Sequence, residues 1–224
     1  VLIMGHRGAR YEAPENTLPG IELALSAGVG AVEIDVHLSQ DGALVVIHDE
    51  TLERTTNGTG RVAEHTLSEL RALDAGDGAQ VPTLAEVLEL TLGRAELFVE
   101  VKAPGCEEAI VREVRAKSAE HVLVKAFDHR ISQRVKELAP DLRVGCLLYG
   151  RPVDPVGLVR AAGADFLSVS VGYLDEALVL ACHAGDVAVC AWNCNDPQKV
   201  ETFRDLGVDW LGTDVPTLLL SPTG

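Results

Sequence analysis

AVEIDVHLSQDGALVVIH (residues 31–48) carries two strand-like halves with very little chain between them. In the first half Val32, Ile34 and Val36 alternate with Glu33, Asp35 and His37. That period of two belongs to a β-strand with unlike faces. The second half, LVVIH (44–48), reads as another strand, yet only SQDGA separates the pair. A parallel crossover needs about a dozen residues or more. Asp41-Gly42 is a hairpin turn signal instead. The second strand is therefore expected to return antiparallel, from a first strand that overshoots its sheet. The return brings His48 back to the rim.

Segments on either side share one plan. SAGVGAVEIDV, AAGADFLSVSV, HAGDVAVCAW and DLGVDWLGTD each place a glycine two residues before an apolar run. Gly28, Gly163, Gly185 and Gly207 sit where a helix C-cap favours positive φ. The steps from 163 to 185 and from 185 to 207 are both 22 residues, enough for one strand–helix unit. Asp154-Pro155 and Asp196-Pro197 read as an N-cap followed by a first-turn proline. Behind Asp128 as a cap, Ile131, Val135 and Leu138 fall on one helical face.

Strands are expected at 2–5, 31–37, 97–102, 122–127, 143–148, 166–171, 187–192 and 210–213. Eight strands joined by right-handed crossovers close into a (β/α)8 barrel, the TIM barrel. The expected fold is thus an α/β TIM (β/α)8 barrel with a β-hairpin after strand 2 and a small insertion before strand 3. One domain spans 1–224, and 49–96, with a helix near 83–92, is read as an insertion within it.

In VEIDVH and FVEVK the valines must meet the helix layer outside a barrel. Glu33, Asp35, Glu100 and Lys102 then point inward or to the C-terminal rim. Three carboxylates do not stay ionised and unpaired there. A divalent cation resolves the conflict, and oxygen-only ligands favour Mg²⁺ or Ca²⁺ over Zn²⁺. The alternative is a buried Glu/Lys/Arg ion-pair cluster. His6 and His48 both end apolar strands on the same expected face. Arg7, next to Gly8, is placed to fork two oxygens of a phosphate.

Composition limits the partners. The chain has 224 residues, 47% of them apolar, and a formal charge of −15. That balance argues against nucleic acid or an anionic membrane as the main partner. It leaves an anionic small molecule open, because a metal or an arginine inverts the field of one cleft. Five cysteines without framework spacing read as reduced thiols, and no signal peptide is visible, so the expected compartment is the cytoplasm. No stretch approaches a membrane span, and no stable membrane association is expected.

GHRGARYEAPENT (5–17), EIDVHLSQDGALVVIHDETLERTTNGTG (33–60) and VEVK (99–102) together strongly resemble the glycerophosphodiester phosphodiesterase family. AFD (126–128), AWNCNDP (191–197) and GTDVP (212–216) look similar as well, so the resemblance runs through nearly the whole chain. It implies a TIM barrel with an insertion after the His-Asp motif. It also implies a divalent metal and cleavage of a glycerophosphodiester to sn-glycerol 3-phosphate and an alcohol. Carried over by position, His6 and His48 resemble the general acid/base pair, and Glu33, Asp35 and Glu100 the metal ligands. Arg7 and Lys102 resemble phosphate contacts. Trp192 and Phe127 line the substrate, and Glu15 and Asn16 support the site. Ala126 stands where the family often has serine, and Trp192-Asn193-Cys194-Asn195 departs from the usual WTVN. These changes bear on substrate preference more than on the chemical step. A lysophospholipase D-like or cyclic-phosphate-forming enzyme uses the same residue types. A non-catalytic phosphate-binding barrel would be marked by loss of a histidine or a carboxylate, and all are present.

Overall fold

The structure, a computed structural model, describes residues 1–117 and 121–221. Among the described residues nine strands form one sheet: β1 (Leu2–His6), β2 (Ala31–Leu38), β3 (Leu44–Val46), β4 (Glu96–Val101), β5 (Val122–Ala126), β6 (Arg143–Leu148), β7 (Phe166–Ser170), β8 (Ala188–Trp192) and β9 (Trp210–Thr213). All but β3 are parallel, and β1 pairs with both β2 and β9, which closes an eight-stranded TIM barrel. β3 lies outside the ring, antiparallel on β2, with Val36 opposite Val46. The hairpin inferred from SQDGA is therefore present, its turn closed by bonds between Ser39 and Ala43 and by Gly42 at φ 82°.

Helices α1 (Leu18–Ala27), α2 (Leu67–Arg71), α3 (Leu84–Thr91), α4 (Glu107–Ala116), α5 (His129–Leu138), α6 (Pro155–Ala161), α7 (Glu176–Ala184), α8 (Val200–Asp205) and α9 (Pro216–Leu220) follow. Thr17 caps α1, Asp128 caps α5 and Asp154 caps α6, each accepting a backbone N–H in the first turn. Asp196 caps a single 3-10 turn, Pro197–Lys199, ahead of α8. Gly28, Gly163 and Gly207 do adopt positive φ. Gly185 does not. It sits at φ −102°, and Asp186 takes the left-handed position at φ 57°. The glycine serves packing instead, because a Cβ there would lie 2.7 Å from the Val156 side chain.

Strand alternation sorts the core into two parts. Val32, Ile34, Val36, Val99 and Val101 face the helices in the main core. Met4, Ala31, Phe98, Leu123, Phe166, Cys190 and Trp210 fill the barrel interior. Phe98 meets Phe166 and Trp210 edge-on, at 5.5 Å and 5.3 Å between centroids. The indole N–H of Trp210 donates to Glu96 Oε2 at 2.6 Å. Since Trp210 and Glu96 open their strands, this plug fills the N-terminal end and leaves the C-terminal end for a cavity. A third cluster, around Val45, Ile47, Leu52, Val62, Leu70 and Val81, packs the stretch after β3 against the hairpin. Among the described residues, no helix is long and apolar enough to cross a membrane. The five cysteines are buried and free.

Candidate active site

A cavity of about 270 Å³ opens at the C-terminal end of the barrel. His6, Arg7, Glu33, His48, Glu100, Lys102, Phe127 and Trp192 all line it. The opening segment explains how the first two arrive. A Cβ at Gly5 would lie 2.4 Å from the Gly8 carbonyl oxygen, and one at Gly8 would lie 2.7 Å from the Gly20 backbone. Both positions require glycine for the chain to turn this tightly. Arg7 itself sits at φ 51°, a left-handed conformation that costs a non-glycine residue energy.

Glu33, Asp35 and Glu100 come together as the alternation implied. They offer oxygens within 4.8 Å of one another and are all buried. Asn16 fixes Asp35 from both sides: its amide donates to Asp35 Oδ2 at 2.9 Å, and its oxygen accepts the Asp35 backbone N–H at 3.2 Å. Glu33 accepts the Arg7 backbone N–H at 3.2 Å. Cations stand close by. Lys102 Nζ donates to Glu100 Oε1 at 2.5 Å and lies 3.5 Å from Asp35 Oδ1. The Arg7 guanidinium lies 3.2 Å from Asp35. Lys125, only 2% exposed, lies 3.2 Å from Glu33 Oε1.

Burial alone would raise the Glu33 carboxyl, but the charges of Lys125, His6 and Arg7 outweigh it and hold it well below the usual range. Glu100 goes the other way: burial and the neighbouring Asp35 charge push it up. Glu33 Oε1 and Asp35 Oδ1 are also buried without a hydrogen-bond partner. The oxygen-only donor set and these two acceptors, ion-paired with Lys125 and Lys102 but without a hydrogen bond, fit a hard divalent cation.

Both imidazoles have a carboxylate at Nδ1, and the Asn193 amide nitrogen also lies 2.8 Å from His6 Nδ1. His6 Nδ1 lies 2.7 Å from Asp214 Oδ1, and His48 Nδ1 lies 2.6 Å from Asp49 Oδ1. Each carboxylate favours a proton on Nδ1, which leaves Nε2 as the nitrogen for proton transfer. Asp214 is braced in turn by Asn195, whose amide donates to Oδ2 at 2.8 Å. His37 donates through Nε2 to the His48 carbonyl oxygen at 3.1 Å and so pins the end of the hairpin. Burial pushes the His48 imidazole below its ordinary value.

Phe127 and Trp192 form part of an aromatic wall. Their rings meet at 6.1 Å, Tyr149 lies 6.0 Å from Trp192, and Tyr173 lies 5.3 Å from Tyr149. Asp214, Asp49, Lys125, Tyr149 and Tyr173 were not singled out from sequence. Lys125 was within reach, since it shares the inward face of VLVKA with Leu123. Asp49 directly follows His48. Asp214 meets His6 only because β9 closes against β1.

Comparison with known proteins agrees with this fold. The model of the glycerophosphoryl diester phosphodiesterase family matches residues 6–218. A glycerophosphodiester phosphodiesterase of Caldanaerobacter subterraneus subsp. tengcongensis is 35% identical, over 98% of this chain and 96% of its own. The crystal structure of a glycerophosphodiester phosphodiesterase from Agrobacterium tumefaciens has a TM-score of 0.86 at 30% identity, covering 99% of both chains. An Oleispira antarctica phosphodiesterase, solved in complex with the product sn-glycerol-3-phosphate, has a TM-score of 0.90 at 29% identity, covering 99% of this chain and 96% of that one. Motif, barrel and full-length likeness converge, and the chain belongs to the glycerophosphoryl diester phosphodiesterase family.

Proposed function

We propose that this protein hydrolyses glycerophosphodiesters to sn-glycerol 3-phosphate and an alcohol, with His6 and His48 as general acid and base. One observation carries the reading: two imidazoles, each with Nδ1 on a carboxylate, border the same cavity as Glu33 and Glu100 of a buried trio of acids. Kinship to the product-bound Oleispira antarctica phosphodiesterase supports the substrate class. We read 1–224 as one domain, with 49–96 inserted between β3 and β4.

A phosphodiester is an anion and repels nucleophiles. Arg7 and Lys102 offset that charge and stabilise the charge that gathers on the phosphoryl oxygens. Glu33, Asp35 and Glu100 would hold one divalent cation, Mg²⁺ or Ca²⁺. When bound, it supplies Lewis-acid stabilisation of the phosphoryl group. In-line displacement needs a base on one side and an acid on the other. A neutral imidazole takes the proton of the attacking oxygen at Nε2, and its protonated partner gives one to the leaving alcohol. Asp49 and Asp214 keep both rings turned for this exchange. Asn16 keeps the Asp35 carboxylate from rotating. Phe127 and Trp192 border the organic part of the substrate.

The test is incubation with glycerophosphocholine, glycerophosphoethanolamine and glycerophosphoglycerol, with products followed by phosphorus NMR. Release of glycerol 3-phosphate from any of them is the expected result. A cyclic phosphate as the end product would reassign the enzyme to a lyase-like reaction. No turnover of any of the three, with metal supplied, would overturn the reading.

A further inference from the structure

Arg54 belongs to the stretch after β3, does not line the cavity, and has no part in the chemistry above. Its guanidinium nevertheless ties together two carboxylates that each hold a working group. On one side Nε donates to Asp49 Oδ2 at 2.6 Å and Nη2 to Asp49 Oδ1 at 3.0 Å. On the other, Nη1 donates to Glu15 Oε2 at 3.0 Å and Nη2 to Glu15 Oε1 at 2.8 Å. Asp49 Oδ1 is the partner of His48 Nδ1. Glu15 Oε1 accepts from Arg7 Nη1 at 2.9 Å, and Glu15 Oε2 also takes Arg10 Nε at 3.2 Å.

We infer that Arg54 is a positioning residue that orients His48 through Asp49 and Arg7 through Glu15, coupling proton transfer to phosphate binding. The inference rests on the roles proposed above for His48 and Arg7. Its physical basis is the planar fork. A guanidinium that bonds two carboxylates, two contacts each, stops both from rotating, which a lysine ammonium does not do. Arg54 is 43% exposed, and exposed ion pairs contribute little to stability. The consequence belongs in kinetics rather than in melting temperature.

The two arms predict different signatures. Asp49→Asn lowers kcat with KM little changed, because only the imidazole is released. Glu15→Gln raises KM, because Arg7, the proposed phosphate contact, loses its carboxylate. Arg54→Gln does both, with kcat falling about 10–100-fold, the scale of a misplaced catalytic group. Adding Asp49→Asn to Arg54→Gln then costs no further kcat, and adding Glu15→Gln no further KM. Arg54→Lys, which keeps charge but not the fork, stays impaired. Guanidinium ion added to Arg54→Ala restores part of kcat.

Wild-type kcat and KM in Arg54→Gln would overturn the inference, as would full rescue by lysine or fully additive double variants. If Arg54→Gln does not fold, Arg54→Lys and the guanidinium rescue decide the matter. His48→Ala is measured alongside. Turnover surviving in His48→Ala overturns the catalytic reading itself. Turnover lost there but untouched in Arg54→Gln overturns the positioning role alone.

Discussion

Around the barrel mouth, β9, β1, β2, the β3 return and β4 deliver Asp214, His6, Arg7, Glu33, Asp35, His48, Glu100 and Lys102. The ends of β5, β6 and β8 and the turn after β7 deliver Phe127, Tyr149, Trp192 and Tyr173. The first arc is held by ion pairs and hydrogen bonds from many directions. The second is held by its own rings, with Phe127 49% and Tyr149 67% exposed. Each ring–ring contact is worth about 0.5–1.5 kcal/mol beyond burial, whereas breaking a buried ion pair by removing one partner costs about 3–5 kcal/mol. The charged arc is therefore hard to alter without loss, and the aromatic arc is free to vary. Under the proposed function, chemistry belongs to the first and substrate preference to the second.

The largest test of that division is removal of a proton carrier. His6→Ala and His48→Ala should each lower kcat by about 10²–10⁴-fold while the far-ultraviolet circular dichroism stays native. Near-normal turnover in either variant would detach that histidine from the chemical step. Chelation should likewise abolish activity, with return on adding Mg²⁺ or Ca²⁺. Activity that persists in a preparation shown to be metal-free would leave the acids as an ion-pair cluster only.

Next in size is Asp214→Asn, which keeps shape but weakens the hold on His6 Nδ1. It should cost about 10–100-fold in kcat with little change in KM. Across the mouth the pattern should invert. Trp192→Ala should raise KM up to about tenfold with kcat nearly preserved, the scale of one lost aromatic contact. Phe127→Ala should do less. A collapse of kcat in Trp192→Ala would erase the distinction between the arcs.

The smallest effect concerns acid. Burial pushes the Glu15 carboxyl up, but bonds from Arg54 and the charge of Arg7 overcome it and hold it at about 2. Its folded value lies below its ordinary 4.5. The stabilisation is thus complete above 4.5 and fades as pH falls towards 2. The stability gap between wild type and Glu15→Gln should close over that window in urea titrations. A gap that is constant with pH would place the contribution of Glu15 elsewhere.

How much of this was readable beforehand depended on range. Val32, Ile34 and Val36 against Glu33 and Asp35 was legible because a two-residue period sorts faces without tertiary knowledge. The antiparallel return of 44–46 was legible because five residues leave no room for a crossover. Asp214 was not, since its partner His6 is 208 positions away and meets it only on ring closure. Gly185 misled because a helix-end glycine has two uses, and sequence does not separate close packing against Val156 from a left-handed turn. The acids looked unpaired because Lys125 lies on a strand whose inward face had not been read.

The plug of Phe98, Phe166 and Trp210, with Glu96 latched to the indole, has a consequence for traffic. With that end stoppered, the described residues leave the C-terminal mouth as the doorway to the cavity. Under the proposed function, diester, water and both products share it. Accumulated glycerol 3-phosphate would then stand in the path of the next diester and act as a brake that competes with it.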